Sequence, residues 1–147
     1  MSTQTEAVRQ ALAQHGLLAA LGLLNDRTPY RFTGIYKLRG DEMHAMHVFD
    51  RTAQQRSWVR AIPLGKSLCQ YAIQHGEFSV TSASTDHRFA SHPYDGLVES
   101  YHGLLLLASD GAPYGTLIHF DIASCEIEAD EIAFLRQVAP LFSPHLD

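Results

Sequence analysis

Two cysteines among 147 residues are too few for a disulfide framework or for a zinc site built on paired Cys spacing. Cys69 and Cys125 are therefore expected to be free thiols in a reducing compartment. The chain is also short of positive charge: 11 Lys and Arg stand against 16 Asp and Glu, for a net charge of −5, with no dense basic run. That removes the electrostatic footprint that nucleic-acid binding through phosphates requires. Apolar runs are brief, the longest being Leu17 to Leu24 and Leu104 to Ala108. Both fall far short of the roughly 20 residues of a membrane span. The N-terminus lacks a basic region followed by a cleavage site, so neither a signal peptide nor a membrane partner is expected, and the cytoplasm is the expected location.

What is present suits a single domain over residues 1–147, since 46% hydrophobic and 18% charged residues are ordinary for a globular chain. A chain of this size buries roughly 70% of the surface its unfolded form exposes. The charge is polarised along the sequence. Eight of the 11 basic residues lie between Arg27 and Lys66, whereas Arg136 is the only Lys or Arg after Ser109. Arg51, Arg56, Arg60 and Lys66 are either solvated faces of separate elements or the rim of a site for an anionic ligand.

Along the chain, Val8, Ala11, Leu12, Leu18 and Gly22 recur at helical spacing, with Leu17, Leu21 and Leu24 widening the stripe. One amphipathic helix is expected from Glu6 to Leu24, within an N-terminal helical region of residues 1–25. Tyr30 to Leu38 and Met43 to Phe49 read as strands of a hairpin about Arg39-Gly40-Asp41. Residues 50–61 read as a loop. Gly65 to His75 reads as a helix capped by Gly76, Phe78 to Thr81 as a short strand, and residues 82–96 as a long polar loop. Tyr101 to Ala108 and Gly115 to Asp121 read as an apolar hairpin covered on both sides. A closing helix is expected over 126–143, where Glu126, Glu128, Asp130 and Glu131 complement the positive end of the helix dipole. Phe134 and Leu141 widen its apolar surface beyond one sheet's needs, so the terminal helices are expected to pair and to dimerise.

Four local motifs in this order resemble the GAF domains: Arg31-Phe32-Thr33-Gly34-Ile35-Tyr36, Ile62-Pro63-Leu64-Gly65 with Ser67-Leu68-Cys69, Asp86-His87-Arg88-Phe89-Ala90, and Gly115-Thr116-Leu117 with Phe120-Asp121. The resemblance covers nearly the whole chain. It implies an α+β, GAF/PAS-like fold: a central antiparallel sheet with the terminal helices on one face and a ligand pocket, under a helix and a long loop, on the other. It also implies a bacterial-type regulatory protein, a non-catalytic small-molecule sensor that acts as a homodimer on a separate protein partner. The small molecule and any cofactor are left unnamed.

For ligand contacts, that architecture selects Trp58 and Arg60 before the Pro-Leu-Gly turn, Cys69 on the helix, Asp86, Arg88, Phe89 and Tyr94 in the long loop, and Tyr101 at the strand edge. Aromatic rings with an Arg suit a planar or anionic ligand. The alternative for Asp86 and Phe89 is a turn cap and a core anchor. Cys69 matches the Gly-x-x-Cys turn of GAF proteins that reduce free methionine-(R)-sulfoxide. However, their attacking cysteine corresponds to the stretch Ser91 to Ser100, which holds none. No catalytic residue is assigned. A third reading is a structural dimerisation module whose pocket is filled by its own side chains.

The nine histidines suggest no metal site. His44 and His47, three apart on a strand, are expected on opposite faces. His87 and His92 fit hydrogen-bonded turns better than a metal. No Cys-His pair is available for a bilin. His102 and His119 fall on adjoining apolar strands, expected slightly out of opposition and on different faces, with core hydrogen bonding as their role.

Overall fold

The apolar strand runs carry the architecture, because their two alternating sets of side chains must both be covered. A computed structural model of the chain describes residues 3–52, 61–85 and 98–146. In order along it lie α1 (Thr3–Gln14), α2 (Leu17–Asp26), β1 (Phe32–Arg39), β2 (Glu42–Asp50), β3 (Ala61–Pro63), α3 (Cys69–His75), β4 (Glu77–Val80), β5 (Ser100–Leu107), β6 (Pro113–Asp121) and α4 (Ala129–Phe142). The strands form one antiparallel sheet in the order β3-β2-β1-β6-β5-β4. The short edge strand β3 takes in Ile62 and Pro63, expected only as the entry to a helix.

One sheet face bears Ile35, Leu104, Leu106 and Leu117, packed on Val8, Leu12, Leu21 and Leu24 of the first two helices and on Leu135, Val138 and Phe142 of α4. The opposite face bears Phe32, Tyr36, Met43, Val80, Tyr101, Ile118 and Phe120, covered by Leu68 and Cys69 at the start of α3. No described helix is long and apolar enough to cross a membrane.

The single opening helix is corrected to two. Gly16 sits at φ 95°, a left-handed conformation that glycine adopts at little cost, and the amides of His15 and Gly16 both close on the Ala11 carbonyl. The break rotates the second apolar stripe onto Ala20, Leu21 and Leu24, leaving Leu18, expected in the stripe, 50% exposed. Phe134, expected as surplus surface for a dimer, is buried within the chain. The Arg27 guanidinium stacks over its ring at 3.7 Å and forks both oxygens of Glu131. Glu131 therefore clamps α4 to the end of α2 rather than standing in solvent at the helix start.

Two β-bulges correct the histidine geometry. Ile35 pairs with His47 but Tyr36 pairs with Ala45, so Met46 is an extra residue in β2. Lys37 pairs with His44, and Ile35 and Lys37 share a face, so His44 and His47 share it too. The second bulge, at Tyr114, sets β5 against β6 so that His102 stands directly opposite His119 on one face, the helix face.

Candidate functional site

Cys69 and Tyr101 are the two chosen ligand contacts within the described residues, and the fold brings them into contact. Trp58, Arg60, Asp86, Arg88, Phe89 and Tyr94 lie outside the described residues, as do Arg56, His87 and His92. Tyr101 sits near the start of β5, and its ring lies back over Gly103 on the same face. The ring fits because residue 103 has no side chain: a Cβ there would fall 2.7 Å from two ring carbons and onto the hydroxyl. From that position the Tyr101 hydroxyl donates to Cys69 Sγ at 3.2 Å. Thr116 Oγ1, on the neighbouring strand β6, completes the group at 3.3 Å from the sulfur.

The turn before α3 fixes the thiol. Ser67 Oγ accepts from the Cys69 amide at 2.8 Å, and Gly76 at φ 87° closes the helix, so a seven-residue segment is held at both ends. Cys69 is 4% and Tyr101 3% exposed. Burial pushes the Cys69 thiol up, with Thr116, Tyr101 and Ser67 opposing it, and burial raises Tyr101 well above the ordinary phenol range. Both groups are neutral at physiological pH. The other thiol, Cys125, donates to Asp121 Oδ2 at 3.6 Å. Asp121 is five positions along β6 from Thr116, about 16 Å at strand rise. A disulfide needs Cα atoms within about 7 Å, so the two cysteines are not poised to bond.

Thr116 is not among the residues chosen from the sequence; its signal is that, of the residues Thr116, Ile118 and Phe120 that β6 turns to this face, it alone carries a hydroxyl. Arg51 does not rim this face. Its guanidinium donates to Asn25 Oδ1 at 3.0 Å and to the backbone carbonyls of Asn25 and Thr28, which ties it to the C-terminal end of α2. Among the described residues, no three His, Cys, Asp or Glu side chains are placed to share a metal ion. A groove of about 220 Å³ between β5 and α4, lined by Leu104 to Leu107, Arg136, Ala139 and Pro140, is separate from Cys69.

No protein-family model matches the chain, and no curated protein matches it. Solved structures match it over nearly its whole length. A candidate GAF sensor protein from Burkholderia vietnamiensis is 19% identical, with 97% of this chain and 90% of that one covered, at a TM-score of 0.76. The GAF domain of an Acinetobacter phosphoenolpyruvate-protein phosphotransferase is 16% identical, covering 98% and 93%, at 0.76. Free methionine-R-sulfoxide reductase from Neisseria meningitidis, in complex with its substrate, is 17% identical, covering 96% and 84%, at 0.75. The chain therefore has the GAF fold, α+β with a six-stranded antiparallel sheet. That fold serves both sensor domains and sulfoxide reductases.

Proposed function

We propose that this chain is a small-molecule-binding sensory domain that performs no chemistry, works in the cytoplasm as a homodimer through its terminal helices, and passes its ligand state to a separate protein. The observation that carries this reading is the Tyr101, Cys69 and Thr116 cluster. Three polar groups converge beneath α3 on a face otherwise lined by Phe32, Tyr36, Met43, Ile118 and Phe120. An apolar site with a few convergent polar groups is the usual make-up of a small-ligand pocket. A thiol is a weak hydrogen-bond partner, so a ligand oxygen or nitrogen offers Tyr101 a better one.

The reductase alternative draws support from the reductases of the same fold and from the position of Cys69 in its turn. It needs an attacking thiolate and a resolving partner. Here a buried neutral thiol stands alone, and the partner thiol is held at Asp121. Exposed Leu18 and Leu23 on α2 offer apolar surface for the dimer.

Native mass spectrometry of gently purified protein, followed by denaturing mass spectrometry of whatever is released, tests the reading. A dimer carrying a reproducible small molecule is expected. A clean dimer with no adduct, and no thermal shift across nucleotide and metabolite panels, would leave the self-filled structural module. Turnover of free methionine sulfoxide that is lost in Cys69→Ser would establish the reductase.

A further inference from the structure

The helix face of the sheet carries two histidines that ligand binding on the other face does not use. His102 on β5 and His119 on β6 are directly opposed and each 1% exposed. Opposed residues of an antiparallel pair have Cβ atoms about 5 Å apart, so the two rings are neighbours. Asn25 Nδ2 donates to Thr33 Oγ1 at 2.9 Å, and Thr33 Oγ1 lies 2.7 Å from His119 Nδ1. With Asn25 as its donor, the Thr33 hydroxyl has its own proton left for His119. His119 Nδ1 thus accepts, and the neutral ring carries its proton on Nε2.

Among the described residues that Nε2 has no partner, and neither ring nitrogen of His102 has one within hydrogen-bond distance. Beyond His102 the line of polar groups resumes. Its Nε2 lies 3.7 Å from Glu77 Oε2 at the first residue of β4. Both Glu77 oxygens are held by Arg136 of α4, Oε1 by Nε at 2.8 Å and Oε2 by Nη2 at 3.1 Å. A row of side chains, Asn25, Thr33, His119, His102, Glu77 and Arg136, therefore crosses the sheet from α2 to α4. The row is open on both sides of His102, toward His119 and toward Glu77.

We infer that His102 is a proton-binding site that reports acidity to α4: a proton taken from solvent settles on His102, Glu77 Oε2 closes onto its Nε2–H, and the Arg136 fork is reduced from two contacts to one. The charged and titratable groups acting on the pair are Glu77 from β4, Arg136 from α4 and Arg51 just beyond β2, with Tyr30 stacked on His119 at 5.5 Å. Their arrangement selects the ring that takes the proton. At His119, burial, His102 and Arg51 all oppose the charged form, whereas at His102 the Glu77 carboxylate works against burial. His102 titrates below the ordinary histidine range and ahead of His119. Glu77 is partly exposed, which gives the proton its way in.

The test is an imidazole NMR titration combined with backbone hydrogen exchange across Ala129–Phe142 at pH 7.5 and 5, corrected for intrinsic exchange. In the wild type, His102 is expected to protonate while His119 stays neutral, and α4 protection to fall on the order of threefold, the effect of losing one contact of an exposed ion pair. In Glu77→Gln the His102 titration moves to lower pH and the acid-dependent loosening disappears. In Arg136→Gln, a change at an exposed position, α4 is equally loose at both pH values and His102 protonates more readily. A His102 that stays neutral until the protein unfolds, or α4 loosening that persists unchanged in Glu77→Gln, overturns the inference. Neither result depends on what the pocket face binds.

Discussion

Acid destabilises this fold through His119 in a way that can be calculated and isolated. Burial first, then the neighbouring His102 and Arg51, depress its pKa from the ordinary 6.5 to about 3. A histidine with a depressed folded pKa contributes no penalty above pH 6.5, where both states are neutral. Below that, the unfolded chain takes up a proton that the native chain does not, so stability falls as pH falls until about pH 3. Each unit of that window is worth about 1.4 kcal/mol, so at pH 4.5 the loss is about 3 kcal/mol. The perturbation is His119→Gln, which keeps an oxygen for the Thr33 hydroxyl and removes the titration. Its lost stacking on Tyr30 lowers stability by about 1 kcal/mol at every pH. Asp50 and Glu77, held low by Arg31 and Arg136, also cost stability in acid, but equally in both proteins. Urea unfolding at pH 7.5 and 4.5 should therefore show the wild type losing about 3 kcal/mol more than the variant. Parallel losses would refute the claim that His119 is buried neutral in the native state.

Two further outcomes follow from the packing. Gly103→Ala must drive the Tyr101 ring off its strand, so it is expected to lower stability by about 1–3 kcal/mol as overpacking does. It should also expose Cys69: a thiol reagent that labels only half-buried Cys125 quickly in the native wild type should label both cysteines in the variant. Arg27→Ala leaves the Glu131 carboxylate, 8% exposed, without its fork, at a cost of about 3 kcal/mol in urea unfolding. The double change Arg27→Met with Glu131→Leu should recover most of that.

The elements were legible because they rest on periodicity. The run Gly115 to Asp121, apolar on both faces, and the Gly76 cap lie where the sequence puts them, as does the α4 stripe of Ile132, Leu135, Val138, Ala139 and Phe142, of which Ile132 alone is only half-buried. What pattern misses is the single residue that breaks it. Gly16 divides a run in which every neighbour favours helix. The extra residues Met46 and Tyr114 each reverse the facing of all that follows them, which is why His44 and His47 share a side and His102 meets His119. The role of Arg51 is illegible for another reason: its partners include the carbonyls of Asn25 and Thr28, and a backbone acceptor leaves no mark on composition. Of the candidate site, the sequence supplied Cys69 and Tyr101 but not Thr116.

The same alternation joins the two faces. β6 sends Thr116, Ile118 and Phe120 toward α3 and Leu117, His119 and Asp121 toward the terminal helices. Thr116 touches the Cys69 thiol, and His119, three residues on, hangs from Thr33 and Asn25 at the end of α2. In an interior packed at crystal density, a strand cannot shift one set of side chains without moving the other. Gly115 removes the slack at one end, since a Cβ there would fall on the Tyr36 carbonyl of β1. A molecule that displaces the Tyr101 and Cys69 contact therefore presses on the strand that also holds the helix-side polar row. On the proposed sensory reading, β6 would be the route from ligand to helices.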